Sequence, residues 1–252
     1  MREEFLGVPI DILSLNETVD LADKSMSRRQ RCQHVALNVA KFVKMRRQPE
    51  LWRDVVESDI VGIDGMGILW GSRVLGLKAH ERVAGIDLFK EILSLCDRKR
   101  FRPFFLGATD GVLQKMISNL RVRHPNLQIA GWHNGYFGRE DDPHIVESIR
   151  RSGADCLFLG LPTPRKERLL ARYRDEFGVP FIMGVGGSFD VLAGAVSRAP
   201  LWMQNTGLEW AYRLYQEPRR MFWRYASTNI SFAALITREL VNRTVHSALR
   251  MR

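Results

Sequence analysis

One aspartate has the position of a proton-accepting group, because it directly follows an apolar run typical of a buried strand. The run DIVGI ends at Ile63, and Asp64-Gly65-Met66-Gly67 comes next. In an open α/β sheet, ligands bind beyond the carboxyl ends of the strands, so a carboxylate there is partly desolvated and close to a bound ligand. Such a group can act as a general base. Alternatively, Asp64 caps the helix predicted over GILWGSRVLG, and the sequence leaves both interpretations open.

Two other predicted strands also end in turns that contain glycine. RPFFLG is followed by residues 108–111 (ATDG), and VPFIMGVG is followed by residues 187–190 (GSFD). Without a Cβ, such turns let the backbone approach a phosphate or a sugar closely at a helix N-terminus. No turn is a Walker A loop or a complete G-x-G-x-x-G fingerprint, so each is weak evidence alone. Asp190 either contacts a ribose hydroxyl or caps the helix predicted over VLAGAVSR.

A positively charged turn follows a further predicted strand. The run GLPTPRKE, residues 160–167, comes directly after the apolar stretch DCLFLG. A strand does not need two cations at its end for stability, and cations near a sheet edge can bind an anionic ligand such as a phosphate. Lys166 is the candidate for that contact. We expect a helix to begin at Pro164, with Arg165 as a solvated residue of its first turn.

Alternating strands and helices position these turns. Strands are predicted at HVALNV, DIVGI, RPFFLG, LQIAGW, ADCLFLG and VPFIMGVG, with amphipathic segments such as LFKEILSLCDRK, GVLQKMISNLRVRH and HIVESIRRSG between them. The strands are apolar without clean alternation, which is typical of burial on both faces. The sequence therefore predicts an α/β fold, Rossmann-like, with a largely parallel sheet and helices on both faces.

The composition changes near Pro200, so we divide the chain into an α/β domain, residues 1–199, and a basic, aromatic helical appendage, residues 200–252. The net charge of +10 favours an anionic partner, and arginines are densest in this appendage. Arginine beside tryptophan and tyrosine suits a membrane interface. Alternatively, the appendage is a helical hairpin whose aromatic residues pack on the α/β domain, and both interpretations can hold together.

Several other classes of protein are not indicated. No apolar window is long enough for a transmembrane helix, and MREEFLGVPIDIL lacks the layout of a signal peptide. Cys32, Cys96 and Cys156 lie far apart, which favours reduced thiols in a cytosolic protein. No zinc-finger or RRM signature is present, so we expect no nucleic-acid partner despite the positive charge.

Metal and hydrolase chemistry are not indicated either. The one dense acidic run, residues 140–142, precedes a helix that starts with proline, and we expect Asp142 to be its N-cap. The histidines have no ligand spacing, and no G-x-S-x-G elbow is present. We therefore expect neither a metal nor another cofactor.

Eight segments in a fixed order resemble one known family, the WecG/TagA/CpsF bacterial glycosyltransferases. They cover the chain from about Phe5 to Tyr225 and read HVALNVAKF, SDIVGIDGMGILW, ERVAGIDLF, FFLGATDGV, HPNLQIAGWHNGYF, GLPTPRKE, GVGGSFDVLAGAVSRAP and GLEWAYRLYQEPRR. The most specific part is the combination of the last two segments.

The resemblance implies a metal-independent, inverting transfer of a sugar from a UDP-sugar donor. The acceptor implied is an undecaprenyl-diphosphate-linked saccharide on the cytoplasmic face of the cell membrane, with the enzyme peripheral to that membrane. The fold implied is Rossmann-like, with a C-terminal appendage that completes the site at the membrane. Some relatives are dimers or trimers, so a homo-oligomer is also implied.

The resemblance also implies roles for individual residues. Asp64 matches the proposed general base, and the catalytic set further contains Asn38, Arg213 and Arg220. The implied donor-binding residues are Tyr136, Thr163, Lys166, Gly184, Val185, Gly186, Gly187 and Asp190. The residues implied at the membrane and the acceptor are Arg219, Trp223 and Arg224.

Several positions depart from the usual pattern of this family. The family usually has G-x-P-K-Q-E where this chain has residues 162–167, PTPRKE, so Pro162 replaces a glycine and Lys166 replaces a glutamine. Ala36 replaces the threonine of a threonine-x-asparagine pair, of which only Asn38 carries over. These changes predict a donor sugar other than N-acetylmannosamine, either a different hexose or a uronic acid.

The same departures allow an alternative without catalysis, a module that binds a nucleotide-sugar or an anionic lipid. The presence of Asp64 and of the appendage arginines argues against this alternative.

Overall fold

The computed structural model describes residues 1–250, except for the side chains of Asn205, Arg220, Met221, Arg224 and residues 245–250. Over the described residues, eight strands form one sheet: β1 (Arg2–Phe5), β2 (Val8–Asp11), β3 (Cys32–Leu37), β4 (Ile60–Ile63), β5 (Pro103–Gly107), β6 (Gly131–His133), β7 (Cys156–Gly160) and β8 (Phe181–Gly184).

Twelve helices accompany the sheet over the same described residues. They are α1 (Leu15–Arg28), α2 (Val39–Arg46), α3 (Pro49–Val56), α4 (Met66–Val74), α5 (Gly85–Lys99), α6 (Asp110–Arg123), α7 (Asp142–Ser152), α8 (Arg165–Arg172), α9 (Ser188–Ala193), α10 (Leu201–Asn205), α11 (Glu209–Gln216) and α12 (Pro218–Arg250).

The strands lie in the order β1-β2-β4-β3-β8-β7-β5-β6, and every pair except β1 with β2 is parallel. The carboxyl ends of the six strands from β3 to β8 therefore meet at one edge of the sheet. We call the space beyond this edge the crevice. In such sheets the crevice is the usual place for a ligand.

The parallel strands are apolar throughout because both faces of the sheet are covered. In β5 and β7, alternate residues enter different clusters: Phe105 and Phe158 pack with α5 and α6, whereas Phe104 and Leu157 pack with α7 and α8. A third cluster joins β3 and β4 to α2, α3 and α4. The predicted fold class, α/β with a largely parallel sheet and helices on both faces, is confirmed.

The appendage does not stand apart from the α/β body. Phe232 of α12 is buried, and its ring lies 6.2 Å from that of Phe5 and 5.8 Å from that of Phe42. Gly71 of α4 makes room for it, because a Cβ at this position would lie 2.9 Å from the Phe232 ring. Part of α12 thus packs on the body, as one of the two interpretations of the appendage expected.

The sequence prediction missed the first two strands and misplaced one helix start. β1 and β2 form a hairpin whose two turn residues, Leu6 and Gly7, have φ of 50° and 83°, as a tight hairpin turn requires. The N-cap of α7 is Asp141, so the expectation for Asp142 was wrong by one residue. The side chain of Asp142 is instead buried and pairs with Arg165.

Among the twelve helices described, none has the combination of length and apolarity needed to span a bilayer.

Candidate active site

Asp64 lies where the ends of β3 and β4 meet the segment before α5. Its backbone N–H donates to the carbonyl of Leu37 at 2.9 Å, and the N–H of Val83 donates to the carbonyl of Ile63 at 2.9 Å. Arg82, the residue before Val83, is thereby brought beside Asp64. The base candidate is held by backbone contacts on both sides.

The carboxylate of Asp64 is not a helix cap. The N-cap of α4 is Gly65, which has φ of 94° and makes no side-chain capping bond. Glycine tolerates this backbone conformation, whereas other residues are strained there. The capping interpretation of Asp64 was therefore wrong, and its side chain is available for another role.

Burial raises the pKa of Asp64 above its usual value, and the charges around it act in both directions. Arg82, Arg213 and Lys41 lower that pKa, whereas Glu209 raises it. A carboxylate with a raised pKa accepts a proton more readily. Arg213 was a candidate from the sequence. Its side chain is exposed on α11, and its charge acts on Asp64, so this helix lies near the site.

Asn38 lies next to this group and has a structural task. Its Oδ1 accepts a hydrogen bond of 3.0 Å from the backbone N–H of Lys41, which makes it the N-cap of α2. A Cβ on Gly65 would lie 3.8 Å from the Cβ of Asn38. The amide of Asn38 is therefore both a cap and a neighbour of the turn that carries Asp64.

A cluster of charged and polar side chains, three of them buried, lies between α2 and α8, and we call it the lysine cluster: Lys41, Lys44, Thr163, Lys166 and Glu167. The Glu167 Oε1 lies 3.0 Å from the Lys41 Nζ and 3.4 Å from the Lys166 Nζ, and it accepts a hydrogen bond of 3.0 Å from the Thr163 hydroxyl. The Lys166 Nζ donates to the Thr163 Oγ1 at 2.8 Å, and the Lys44 Nζ donates to the Thr163 carbonyl at 2.7 Å.

The lysine cluster has more buried positive charge than negative. Burial acts to raise the pKa of Glu167, but Lys41 and Lys166 beside it lower that pKa to about 2. Burial lowers the pKa of Lys166 to about 8, with a further lowering by Lys41, although Glu167 is also adjacent. Burial is the first cause of the lowered pKa of Lys166, and Glu167 does not fully offset it, because this one carboxylate is shared by two ammonium groups. Lys166 is the surplus cation of the pair.

The turn after β8 is shaped to fit this cluster. A Cβ on Gly184 would lie 2.8 Å from the Cε of Lys166, so glycine at this position leaves room for the lysine side chain. Val185 donates its N–H to the carbonyl of Leu159 at 2.9 Å, and the hydroxyl of Ser188 donates to the carbonyl of Val185 at 2.8 Å. Gly186 has φ of 54°, which glycine adopts freely. The backbone turn is thus fixed beside a buried cation.

Asp190 lies in the first turn of α9 and is half-buried. The N-cap of α9 is Gly187, so Asp190 does not cap this helix, and that interpretation was wrong. A Cβ on Gly187 would lie 3.8 Å from the Oδ2 of Asp190, which brings the carboxylate close to the glycine turn.

Tyr136 lies at the far end of the crevice. Its backbone N–H donates to the Asn134 Oδ1 at 3.0 Å, and the Asn134 amide donates to both oxygens of Asp110 at 3.1 and 3.3 Å. Its ring is 78% exposed. The exits of β4 and β6 are separated by five strand spacings, about 24 Å, so the fold does not place Tyr136 next to Asp64.

Arg165 is not the solvated residue that the sequence indicated. It makes a paired contact with the buried Asp142, and its guanidinium lies 5.1 Å from the centre of the Phe137 ring. This contact ties α8 to the segment before α7. The expectation for Arg165 was therefore wrong.

The remaining predicted residues lie on the appendage. Arg219 is exposed, and Trp223 is 75% exposed beside Phe222. The side chains of Arg220 and Arg224 lie outside the described residues, so their predicted roles have no structural description here. Within the described part of the chain, no group of three or more histidine, cysteine, aspartate or glutamate side chains is arranged to hold a metal ion.

Three residues of the site were not singled out by the sequence analysis. Lys41, Arg82 and Glu209 all lie inside segments that carry the family resemblance, HVALNVAKF, ERVAGIDLF and GLEWAYRLYQEPRR. The sequence feature that could have identified these three residues is their position in segments that resemble the family. Their roles depend on contacts between distant parts of the chain, which no local pattern indicates.

Because the pKa of the buried Lys166 is lowered, we expect the free energy of unfolding to depend on pH. The pKa of Lys166 is about 8 in the folded chain and about 10.4 in an unfolded one. The unfolded chain then binds more protons between these values, so the free energy of unfolding rises with pH in this window. We expect the Lys166→Gln variant to lack this rise, so that its stability relative to wild type falls by about 2–3 kcal/mol from pH 7.5 to 10.5.

Urea unfolding at several pH values measures this difference. Lys24→Gln, which removes an exposed lysine of α1, is the matched control, and its curve should run parallel to that of wild type. A parallel curve for Lys166→Gln would contradict the assignment of Lys166 as the surplus cation.

Comparison with known proteins shows the family of this chain. The sequence model of the Glycosyl transferase WecG/TagA/CpsF family matches residues 3–246. A Bacillus subtilis protein named N-acetylglucosaminyldiphosphoundecaprenol N-acetyl-beta-D-mannosaminyltransferase is 35% identical over 186 residues, which are 74% of this chain and 71% of the relative. A Bacillus spizizenii protein of the same name is 36% identical over 167 residues, 66% of this chain and 63% of the relative. The chain therefore belongs to the WecG/TagA/CpsF family of glycosyl transferases.

Proposed function

We propose that this chain is a metal-independent, inverting glycosyltransferase with Asp64 as its general base. It moves a hexose, a uronic acid or an N-acetylhexosamine from a UDP-sugar to an undecaprenyl-diphosphate-linked saccharide during the synthesis of a bacterial surface or exopolysaccharide. The observation that carries the proposal is the carboxylate of Asp64, which follows β4, caps no helix, and lies near Arg82 and Arg213. The names of the two Bacillus relatives support the choice of acceptor.

In the proposed reaction, Asp64 accepts the proton of an acceptor hydroxyl as that oxygen attacks the anomeric carbon. The new C–O bond forms on the face opposite the leaving group, and the bond to UDP breaks. Negative charge then develops on the β-phosphate of UDP, where cations and backbone N–H groups stabilise it. We assign this role to Arg213, Arg220 and the turn at residues 184–187.

The donor-binding role of Lys166 stays a prediction. Its ammonium is buried and already bonded to Thr163 and, at 3.5 Å, to the carbonyl of Leu161. A direct contact with the donor therefore requires one of these bonds to be exchanged. The surplus positive charge acts on an anion in the crevice even without such a contact, because electrostatic attraction is strong where water is excluded.

The Asp64→Asn variant tests the base. Asparagine keeps the shape of the side chain but cannot accept the proton, so we expect kcat to fall by at least about 100-fold. UDP binding, measured by calorimetry, should stay within about twofold of wild type, because the donor contacts remain. The matched control is Asp20→Asn on the exposed face of α1.

UDP release in the presence of a lipid-diphosphate acceptor is the measurement. Near-wild-type kcat for Asp64→Asn would show that another group is the base. Wild-type protein that binds UDP but releases none from any donor would favour the alternative, a non-catalytic binding module.

Ala36 and Lys166 lead us to a prediction about which donor sugar the protein prefers. Ala36 removes a hydroxyl and Lys166 adds a cation relative to the usual family pattern, so we expect the wild type to prefer a UDP-hexose or UDP-uronic acid over UDP-N-acetylmannosamine. Loss of one hydrogen-bonding group can change such a preference by at least about tenfold. The double variant Ala36→Thr/Lys166→Gln should move the preference back toward UDP-N-acetylmannosamine.

A panel of UDP-sugars, each with and without acceptor, measures this preference as kcat/KM. The two single variants show which position is responsible. Exclusive use of UDP-N-acetylmannosamine by the wild type would contradict the prediction, and so would a double variant with an unchanged preference.

We propose further that residues 200–252 act as an appendage that places the enzyme on the inner face of the cytoplasmic membrane, beside residues 1–199 as the catalytic domain. Several aromatic side chains of this appendage are at least 41% exposed: Trp202, Trp210, Tyr215, Phe222 and Trp223. Exposed arginines, Arg213 and Arg219, accompany them. Aromatic rings and arginines side by side favour an anionic lipid surface.

We expect the Trp223→Ala variant to bind vesicles of phosphatidylglycerol and phosphatidylethanolamine about tenfold more weakly, because a buried tryptophan contributes of the order of 1.5–3 kcal/mol of apolar transfer energy. Sedimentation with the vesicles measures the binding. Trp132→Ala is the matched control, since Trp132 is 44% exposed but lies on the edge strand β6, away from the appendage. Equal binding of both variants and wild type would contradict the proposed role of Trp223.

A further inference from the structure

A chain of four charged side chains connects the appendage to the α/β body. Arg198 makes a paired contact with Asp87 of α5, and its Nε donates to the Oε1 of Glu209 at 3.2 Å. The other oxygen of Glu209 accepts from the Nη2 of Arg82 at 3.2 Å. Arg82, Arg198 and Glu209 are mostly buried, with side-chain exposures of 15%, 14% and 16%. Glu209 is thus shared by two arginines.

This carboxylate pairs with the arginine whose charge also acts on Asp64. Glu209 begins α11, directly after the turn at Gly207, which has φ of 76°. A Cβ on Gly207 would lie 2.6 Å from the Cγ of Met66, so the turn packs against the start of α4, two residues after Asp64. The charge of Arg82 therefore acts on one carboxylate of the body, Asp64, and on one of the appendage, Glu209.

Arg82 is bonded to the appendage and not to Asp64. Its Nη2 donates to the carbonyl of Gln204 at 3.1 Å as well as to Glu209. Among the side chains that the structure describes, no lysine or arginine forms a salt bridge with Asp64. Without Glu209, the guanidinium of Arg82 would lose its ion-pair partner, and Asp87 is already paired with Arg198.

We propose that Glu209 is a positioning residue that holds Arg82 toward the appendage and thereby keeps the carboxylate of Asp64 free to accept a proton. The inference rests on the proposed role of Asp64 as the general base. The inference adds that the pKa of Asp64 depends on the docked appendage as well as on the α/β body. The appendage acts on this pKa through the carboxylate of Glu209.

The expected direction follows from all the charges that face the two carboxylates. Glu209 faces Arg82 and Arg198, with Asp87 behind Arg198. Asp64 is influenced by Arg82, Arg213 and Lys41, which lower its pKa, and by Glu209, which raises it. Removing the charge of Glu209 takes away the one raising charge and also frees Arg82. Both effects lower the pKa of Asp64.

The full-length Glu209→Gln variant tests the proposal. Carbon-13 NMR of carboxyl-labelled aspartate, with the signal of Asp64 assigned by its loss in Asp64→Asn, follows the titration of Asp64 directly. We expect its pKa to fall by about one unit, as a nearby opposite charge produces. The acidic limb of the pH profile of kcat/KM should move by the same amount, and the plateau should fall about tenfold because the base is weaker.

The matched control is Gln216→Ala. Gln216 also ties α11 to the body, by a hydrogen bond of 3.2 Å to the carbonyl of Ser197, but it bears no charge and does not contact Arg82. If Glu209 only held the appendage in place, Gln216→Ala would weaken docking as well and would lower the pKa of Asp64 to a similar extent, whereas the proposal predicts no such fall in this control. An unchanged or raised pKa of Asp64 in folded Glu209→Gln would overturn the proposal.

A second variant keeps the test decisive if Glu209→Gln does not fold. The double variant Glu209→Gln/Arg82→Gln removes both partners of this ion pair, so no largely buried guanidinium is left unpaired. If Glu209 acts through Arg82, the pKa of Asp64 should not fall in this variant, because a lowering charge is removed together with the raising one. A fall by about one unit would overturn the proposal. The NMR titration also separates this proposal from the proposed function. If Asp64→Asn stays active, Asp64 is not the base, yet the titration still shows whether Glu209 controls its charge.

Discussion

The crevice depends on one buried ion pair, between Lys41 and Glu167. Lys41 lies on the helix after β3 and Glu167 on the helix after β7, while β8 lies between these two strands. Both side chains are almost fully buried, at 7% and 1% exposure. Leaving either charge buried alone would cost several kcal/mol. The pair therefore fixes the two helices relative to each other and defines the space in which the turn after β8 lies.

The same pair gives the crevice two electrically different ends. Beside Lys41 and Glu167, the further ammonium of Lys166 leaves a surplus positive charge near the exit of β7. Asp64 lies three strand spacings away, at the exit of β4, about 14 Å across the sheet. An anionic group is favoured at one end and proton acceptance at the other. This separation suits the proposed transfer, in which the acceptor hydroxyl attacks the anomeric carbon on one side and UDP leaves on the other.

Much of this arrangement could be predicted from the sequence because it depends on local patterns. Apolar runs bounded by glycine turns predicted the six parallel strands and hence the edge that carries Asp64. The hairpin of β1 and β2 was missed, because it is short, charged and contains Pro9. The partnership of Arg82 with Glu209 could not be predicted, since 127 residues separate them. The sequence also left open whether Asp64 caps α4, and the structure places Gly65 at the N-cap position instead.

On the proposed function, the appendage joins membrane contact to the chemistry of the site, because α11 and α12 pack together. Along α12, Trp223 is exposed and Phe232 is buried in the body, nine residues or about 14 Å further on. The start of α11 supplies Glu209 to Arg82. If a lipid surface binds the docked appendage better than an undocked one, lipid binding must strengthen docking by the same factor, because coupling free energies are reciprocal. On the proposed function, the base would then be fully active only where the lipid-linked acceptor is present.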